Sequence, residues 1–212
     1  MTRVYLVRHG TTEWNKEEIF RGRANCRLNE TGRAEAQALA GYFRDTELKA
    51  IYSSPLSRAE ETARAIALAQ GLPVIPAAAF IDMDFGEWTG LPLKEVKRKY
   101  ADTYRVWRQR PQDAIFPGGE NLTQVRDRAW EGFQRVAREN EEETVLIVSH
   151  RVVTKILICA ALGLDNDHFW QVKQDTTAVN CFEYRLGFFV VSLMNDTCHL
   201  KTISSGFWKK DF

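Results

Sequence analysis

The stretch Val4-Tyr5-Leu6-Val7-Arg8-His9-Gly10-Thr11-Thr12-Glu13-Trp14-Asn15 constrains this chain more than any other. Its first half is an apolar, β-branched run, the pattern of a buried strand. It then breaks abruptly into Arg8-His9-Gly10. Open α/β sheets bind ligands outside the carboxyl ends of their strands, so a guanidinium and an imidazole leaving such a strand stand where chemistry is done. Gly10 permits a tight turn, and Asn15 carries a short amide able to close the loop onto an anion. Taken alone, the segment also fits a strand followed by a polar turn.

The same grammar returns at Thr144-Val145-Leu146-Ile147-Val148-Ser149-His150, an unbroken apolar run ending in a polar residue and histidine. A third strand, Leu48 to Tyr52, stops at Ser53-Ser54-Pro55, with Arg58 one helical turn on. Helices are predicted over Gly32–Phe43 (Thr31 as cap), Leu56–Gln70, Pro92–Trp107, Glu120–Asn140 and Arg151–Leu162. Val74-Ile75 reads as a brief strand, and Ala178–Tyr184 with Phe188–Leu193 as a hairpin around Leu186-Gly187. Strands alternating with helices, then a hairpin, predict a three-layer α/β/α sandwich with a mostly parallel, mixed central sheet. Phe80 to Gly90 alternates bulky and acidic residues between glycines, which suits an irregular loop over a cleft. The segment around 80–120 is the candidate for a small helical cap on a single domain spanning 1–212.

Length and charge agree with that reading. The 212 residues suit one sizeable domain, and a formal net charge of +1 gives no electrostatic case for nucleic acid. No apolar run is long enough to cross a bilayer, and Met1-Thr2-Arg3 enters a strand without a secretory h-region. Cys26, Cys159, Cys181 and Cys198 form no Cys-x-x-Cys pair, so the reading is buried thiols and a cytoplasmic location. An exposed sheet edge, or the aromatic tail with Phe207, Trp208 and Phe212, offers a surface for a homodimer.

A parallel sheet would gather Arg8, His9, Arg58 and His150 at one edge. Two imidazoles and two guanidiniums make a cationic pocket suited to a tetrahedral dianion, because arginine offers forked donors to phosphate oxygens. Histidine in the correct tautomer is a competent nucleophile. A metal site fits less well: no His-x-His or Glu-x-x-His spacing stands near a second ligand, and the arginines would repel a dication. No Gly-x-Ser-x-Gly elbow supports serine hydrolase chemistry.

These residues resemble the histidine phosphatase superfamily, in its phosphoglycerate-mutase-like branch. Its Arg-His-Gly-x-Thr-x-x-Asn signature stands from Arg8 to Asn15, a second signature runs from Ser53 to Ala63, and a third is Val148-Ser149-His150. Phe85-Gly86-Glu87-Trp88-Thr89-Gly90 matches the loop that follows the family's acid. The resemblance implies a phosphohistidine at His9, with Arg8, Arg58 and His150 clamping the phosphoryl oxygens and Asn15, Arg21 and Gly22 assisting at the phosphate or substrate. It also implies a proton donor in the segment before Phe85. The family usually carries glutamate there; Asp82 is the matching residue, with Asp84 and Glu87 as rivals.

The implied activity is hydrolysis of a small phosphorylated metabolite, without metal or cofactor. A bisphosphate-dependent mutase and a non-catalytic phospholigand-binding protein are the alternatives. Phe116 to Glu120 and Asp196 to Leu200 resemble phosphoserine-specific members, and the piece from Asn195 to Leu200 looks like the final strand of the family's phosphatase members. Against that, Phe85 stands where those enzymes tend to carry a histidine that helps select substrate. Trp88, Lys94, Lys97, Arg98, Tyr104 and Trp107, with Arg21 and Arg23, either surround a leaving group or simply pack and solvate the cap.

Overall fold

The computed structural model describes residues 1–201; the aromatic part of the tail lies outside them. Six strands form one sheet in the order β3-β2-β4-β1-β5-β6. These are β1 (Thr2–Arg8), β2 (Ala50–Ser53), β3 (Val74–Pro76), β4 (Thr144–Ser149), β5 (Val179–Arg185) and β6 (Phe188–Asp196). β3, β2, β4 and β1 run parallel, β5 pairs antiparallel with β1, and β6 antiparallel with β5. The architecture is thus the expected α/β/α sandwich with a mixed sheet.

The central strands are apolar without a break because both their faces are covered. Val4 and Leu6 of β1, with Val145 and Ile147 of β4, pack under α6 (Leu122–Glu139) and α7 (Arg151–Ala161). Val7, Leu146 and Val148 face the other way, onto α2 (Glu30–Tyr42) and α3 (Ser57–Gln70). Each of these residues is fully buried, worth roughly 1.5–3 kcal/mol of hydrophobic stabilisation apiece.

Helix boundaries follow local chemistry. α3 is alanine-rich and stops at Gly71, which adopts the left-handed conformation at φ 66°. α6 opens on a capping box in which Asn121 and Gln124 satisfy each other's backbone N–H groups. α2 begins two residues earlier than predicted. Asn29, not Thr31, is its cap, the Asn29 side chain accepting from the Gly32 N–H at 2.9 Å.

Two further expectations need correction. The helix predicted over 92–107 is two, α4 (Leu93–Lys99) and α5 (Ala101–Gln109), hinged at Tyr100 with φ −127° and ψ 42°. The run from Asn195 to Leu200 is not a strand throughout: β6 ends at Asp196 and Cys198–Leu200 forms a 3₁₀ turn. The short helix α1 (Glu13–Lys16) lies within the loop that follows β1. Residues 80–90 are irregular as expected, flanked or interrupted by 3₁₀ turns at Ala78–Phe80 and Gly86–Trp88. No helix among the described residues is long and apolar enough to cross a membrane.

Candidate active site

The register brings the three strand ends together. Arg8 of β1 lies beside Ser149 of β4, and Ser53 of β2 beside Val148. Their following residues, His9, Ser54 and His150, therefore share one edge of the sheet, and the rings of His9 and His150 lie 5.2 Å apart. Arg58, on the first turn of α3, reaches the same point. All of Arg8, His9, Arg58 and His150 are buried.

Small residues let the His9 loop sit this deep. A Cβ on Gly32 would lie 2.0 Å from the Thr11 carbonyl oxygen, so only glycine admits that crossing of loop and helix. The Gly10 N–H donates to Thr62 Oγ1 at 3.1 Å, tying the loop to α3. Buried Glu35 of α2 completes the anchorage, accepting from the Thr11 backbone N–H at 2.7 Å and from its hydroxyl at 2.8 Å. Burial raises the Glu35 carboxyl above its ordinary value against these hydrogen bonds.

The protonation of the two imidazoles follows from their partners. His9 Nδ1 lies 2.7 Å from the Gly10 carbonyl oxygen. A carbonyl only accepts, so Nδ1 carries the hydrogen and Nε2 keeps its lone pair. His150 Nε2 lies 2.7 Å from Ser54 Oγ, and that oxygen already accepts from the Leu56 N–H at 3.4 Å. Nδ1 faces the Asp82 carboxylate 3.6 Å away, which favours hydrogen on that nitrogen and leaves Nε2 to accept the Ser54 proton; Nδ1 is buried and has no hydrogen-bond partner. Burial, followed by Arg58 and the other neighbouring cations, holds both histidines well below the usual imidazole value, so both are neutral at pH 7.

The cations are fixed by loop carbonyls. Arg8 Nη1 donates to the Gln174 carbonyl at 2.6 Å, and the Gln174 and Asn180 side-chain amides hydrogen-bond reciprocally at 2.8 Å. Arg58 donates from Nη1 to the Ala24 carbonyl and from Nη2 to the Gly22 carbonyl, each at 2.8 Å. Gly22 sits at φ +51°, and a Cβ there would come within 2.8 Å of Thr89 Oγ1. Its place in the site is thus that of an anchor for Arg58.

The three candidate carboxylates occupy different places. Asp82 is buried and borders the cleft; its Oδ2 accepts from Arg58 Nη2 at 2.9 Å and lies 3.6 Å from His150 Nδ1. Asp84 instead accepts from the Gly86 N–H at 2.9 Å, shaping the loop. Glu87 is exposed and accepts from the Tyr100 hydroxyl. Asn15 spends its side-chain carbonyl on the Thr12 N–H and hydroxyl at 2.9 and 2.8 Å, while its buried Nδ2 has no hydrogen-bond partner.

A cleft open to solvent leads in to His9 and Asp82; it is also lined by Ile19, Phe20, Arg21, Gly22, Phe85, Arg151 and Val152. Trp88 and Trp107 do not reach it. They are fully buried with Phe85 and Phe116 in an edge-to-face aromatic cluster, so theirs is the packing role of the two left open by sequence. Arg151 escaped sequence reasoning although it directly follows His150; Arg128 and Glu35 gave no signal beyond a charge on an amphipathic helix. Among the described residues no group of three His, Cys, Asp or Glu side chains could hold a metal ion. The arrangement presents a neutral imidazole lone pair inside a ring of guanidiniums and one buried carboxyl, the inventory for phosphoryl transfer to nitrogen.

Residues 4–197 match the family model of the histidine phosphatase superfamily, branch 1. The chain belongs to the histidine phosphatase superfamily. Among curated members, phosphoserine phosphatase 1 of Hydrogenobacter thermophilus is 36% identical over 200 residues, 94% of this chain and 95% of that one. Among solved structures, Bacillus stearothermophilus YhfR superposes with a TM-score of 0.91 at 32% identity, over 95% of this chain and 100% of its own. A phosphoserine phosphatase from Entamoeba histolytica, solved with 3-phosphoglyceric acid, gives 0.86 at 27% identity, over 94% and 100%. This histidine phosphatase is accordingly an enzyme of the phosphatase class.

Proposed function

We propose that this protein hydrolyses small phosphomonoesters by way of a phosphohistidine on His9. The observation that carries the reading is the His9 Nδ1–Gly10 contact, which leaves Nε2 as a neutral nucleophile inside the cationic ring. Nε2 attacks phosphorus in line, the P–N bond forms, and the P–O bond to the alcohol breaks. Arg8, Arg58 and the Nδ1–H of His150 carry the charge of the phosphoryl oxygens. Asp82, protonated, gives its proton to the departing alkoxide. As carboxylate it then takes a proton from water, whose oxygen attacks phosphorus as the P–N bond breaks, and inorganic phosphate leaves.

Substrate class is read from the residues lining the cleft. Arg21 and Arg151 face an otherwise apolar rim of Ile19, Phe20, Phe85 and Val152. That combination favours a small alcohol carrying its own anionic group, such as a carboxylate, with arginine supplying what Phe85 cannot. The relatives named for phosphoserine and solved with 3-phosphoglyceric acid support this reading. The connection from α5 to α6 holds only the 3₁₀ turn Pro111–Asp113 and a short loop, which supports hydrolysis over the water-excluding closure a mutase requires. The four cysteines are free, which fits a cytoplasmic enzyme. Residues 80–120 serve as the cap of one domain.

His9→Ala abolishes turnover and acid-labile phosphate labelling on this reading; label persisting on that variant refutes the nucleophile. Feeding 3-phosphoglycerate with 2,3-bisphosphoglycerate separates the reactions, because isomerisation outrunning phosphate release would identify a mutase.

A further inference from the structure

Asp82 is one carbon shorter than the glutamate usual at its position, so its reach depends on where the backbone is held. That backbone has no ladder of its own: residues 81–85 lie in neither helix nor strand. Buried carbonyls in such a stretch need donors from elsewhere. Arg128, from the middle of α6, supplies them. Its Nη1 donates to the carbonyls of Ala79 and Ile81 at 2.9 and 2.8 Å, and its Nη2 donates to the carbonyl of Asp82 itself at 3.2 Å.

The guanidinium is held in turn by Glu120. Arg128 Nε and Nη2 donate to the two Glu120 carboxylate oxygens at 2.9 and 3.0 Å, the planar bidentate geometry that fixes orientation as well as distance. Glu120 also accepts from the Asp84 N–H at 2.9 Å, and its own N–H donates to the Asp84 carbonyl at 2.8 Å. Arg23 closes the group, 3.0 Å from Glu120 and with Nε 3.5 Å from the Asp82 carbonyl. The loop is thus gripped at 79, 81, 82 and 84, on both sides of the carboxyl that faces the cleft.

We infer that the Arg128–Glu120 pair is a positioning clamp for Asp82, setting the distance over which the shorter acid delivers its proton. The inference rests on Asp82 being the proton donor. Proton transfer matters most when the leaving alkoxide is strongly basic, so a displaced acid costs an alkyl phosphate much more than an activated aryl phosphate. A role confined to stability would lower both alike.

The experiment compares kcat on phosphoserine and on p-nitrophenyl phosphate for the wild type, Asp82→Asn, Arg128→Met, Arg128→Lys and Glu120→Gln. Folding is checked by circular dichroism and Tm. The alkyl-to-aryl ratio is expected to fall about tenfold or more in Arg128→Met and Glu120→Gln, as a small misplacement of a reacting group would cause, with partial recovery in Arg128→Lys. Should Arg128→Met fail to fold, the milder Arg128→Lys and Glu120→Gln variants carry the test. An unchanged ratio in folded clamp variants, while Asp82→Asn lowers it, overturns the clamp alone. An unchanged ratio in Asp82→Asn overturns the proton-donor reading beneath it.

Discussion

Ser54→Ala removes one oxygen and, with it, the device that fixes the His150 tautomer. In the wild type the Ser54 hydroxyl faces His150 Nε2 at 2.7 Å and leaves Nδ1–H as a buried donor on the Asp82 side. Without Ser54 Oγ, the imidazole is free to place hydrogen on Nε2 and turn a lone pair toward the phosphoryl oxygens. Losing one hydrogen bond to a charged group costs roughly 1.5–3 kcal/mol. If the interaction matters in the transition state, kcat/KM falls roughly 10- to 150-fold. Stability also drops, by about 1–3 kcal/mol for the nitrogen left unsatisfied, or roughly 2–12 °C in Tm for a domain of this size. Steady-state kinetics at pH 7 measure the first effect, a thermal melt the second, and ¹⁵N chemical shifts of the His150 ring report the tautomer directly. A folded Ser54→Ala protein within about twofold of wild-type kcat/KM refutes the tautomer argument.

Three further outcomes are expected. His199, partly buried against Thr177 and Tyr42, is pushed down to about 4 mainly by burial, so as pH falls below 6.5 the unfolded chain binds its proton first and stability is lost progressively down to about pH 4. His9 and His150 act with the same sign; urea midpoints at pH 7 and pH 5 should show the decline, and His199→Gln should flatten part of it. Gly32→Ala should cost about 3 kcal/mol or more in denaturant unfolding because its Cβ meets backbone 2.0 Å away, whereas Gly41→Ala, with nothing within 4 Å, should stabilise α2 by about 0.5–1 kcal/mol. Arg151→Gln should lower the preference for carboxylate-bearing over neutral alkyl phosphates about tenfold in kcat/KM, and an unchanged preference would remove Arg151 from substrate selection.

The parts of the site legible in sequence are those carried by strands. An apolar run ending in histidine has few readings, and two such runs with parallel partners converge by topology, so His9 and His150 meet although far apart in the chain. Arg58 was legible by family resemblance and by lying one turn beyond a strand end. Helix interiors were less readable. α6 carries Arg126, Arg128, Arg135 and Arg138, and no spacing rule distinguishes the one that turns under the acid loop. Glu35 is likewise one carboxylate on a helix whose other charged residues, Glu30 and Arg33, face solvent, and it is buried because Gly32 lets the His9 loop approach. The hinge at Tyr100 was missed because Lys99-Tyr100-Ala101 contains no proline or glycine to mark it. Asn29 as a cap was obscured by Thr31, an equally good capping residue two positions on.

A common device runs through the charged groups. Arg8, Arg58 and Arg128 each donate to main-chain carbonyls of the loops around them: Gln174 for Arg8, Gly22 and Ala24 for Arg58, and Ala79, Ile81 and Asp82 for Arg128. Like charges packed this closely would repel, and burying them without acceptors would cost several kcal/mol each. Carbonyl dipoles are neutral acceptors that do not themselves cancel positive charge; Glu120 does so at Arg128, so the field offered to an incoming anion is that of Arg8 and of Arg58, the latter shared with Asp82. They also make the loops and the cations determine each other's positions. At Arg58 two nitrogens are committed to this framework and to Asp82, while Nε is buried with no hydrogen-bond partner. Substituting lysine at Arg58 should therefore fail on both counts. A single ammonium on a flexible stem cannot hold Gly22, Ala24 and Asp82 together and still present a donor to a phosphoryl oxygen.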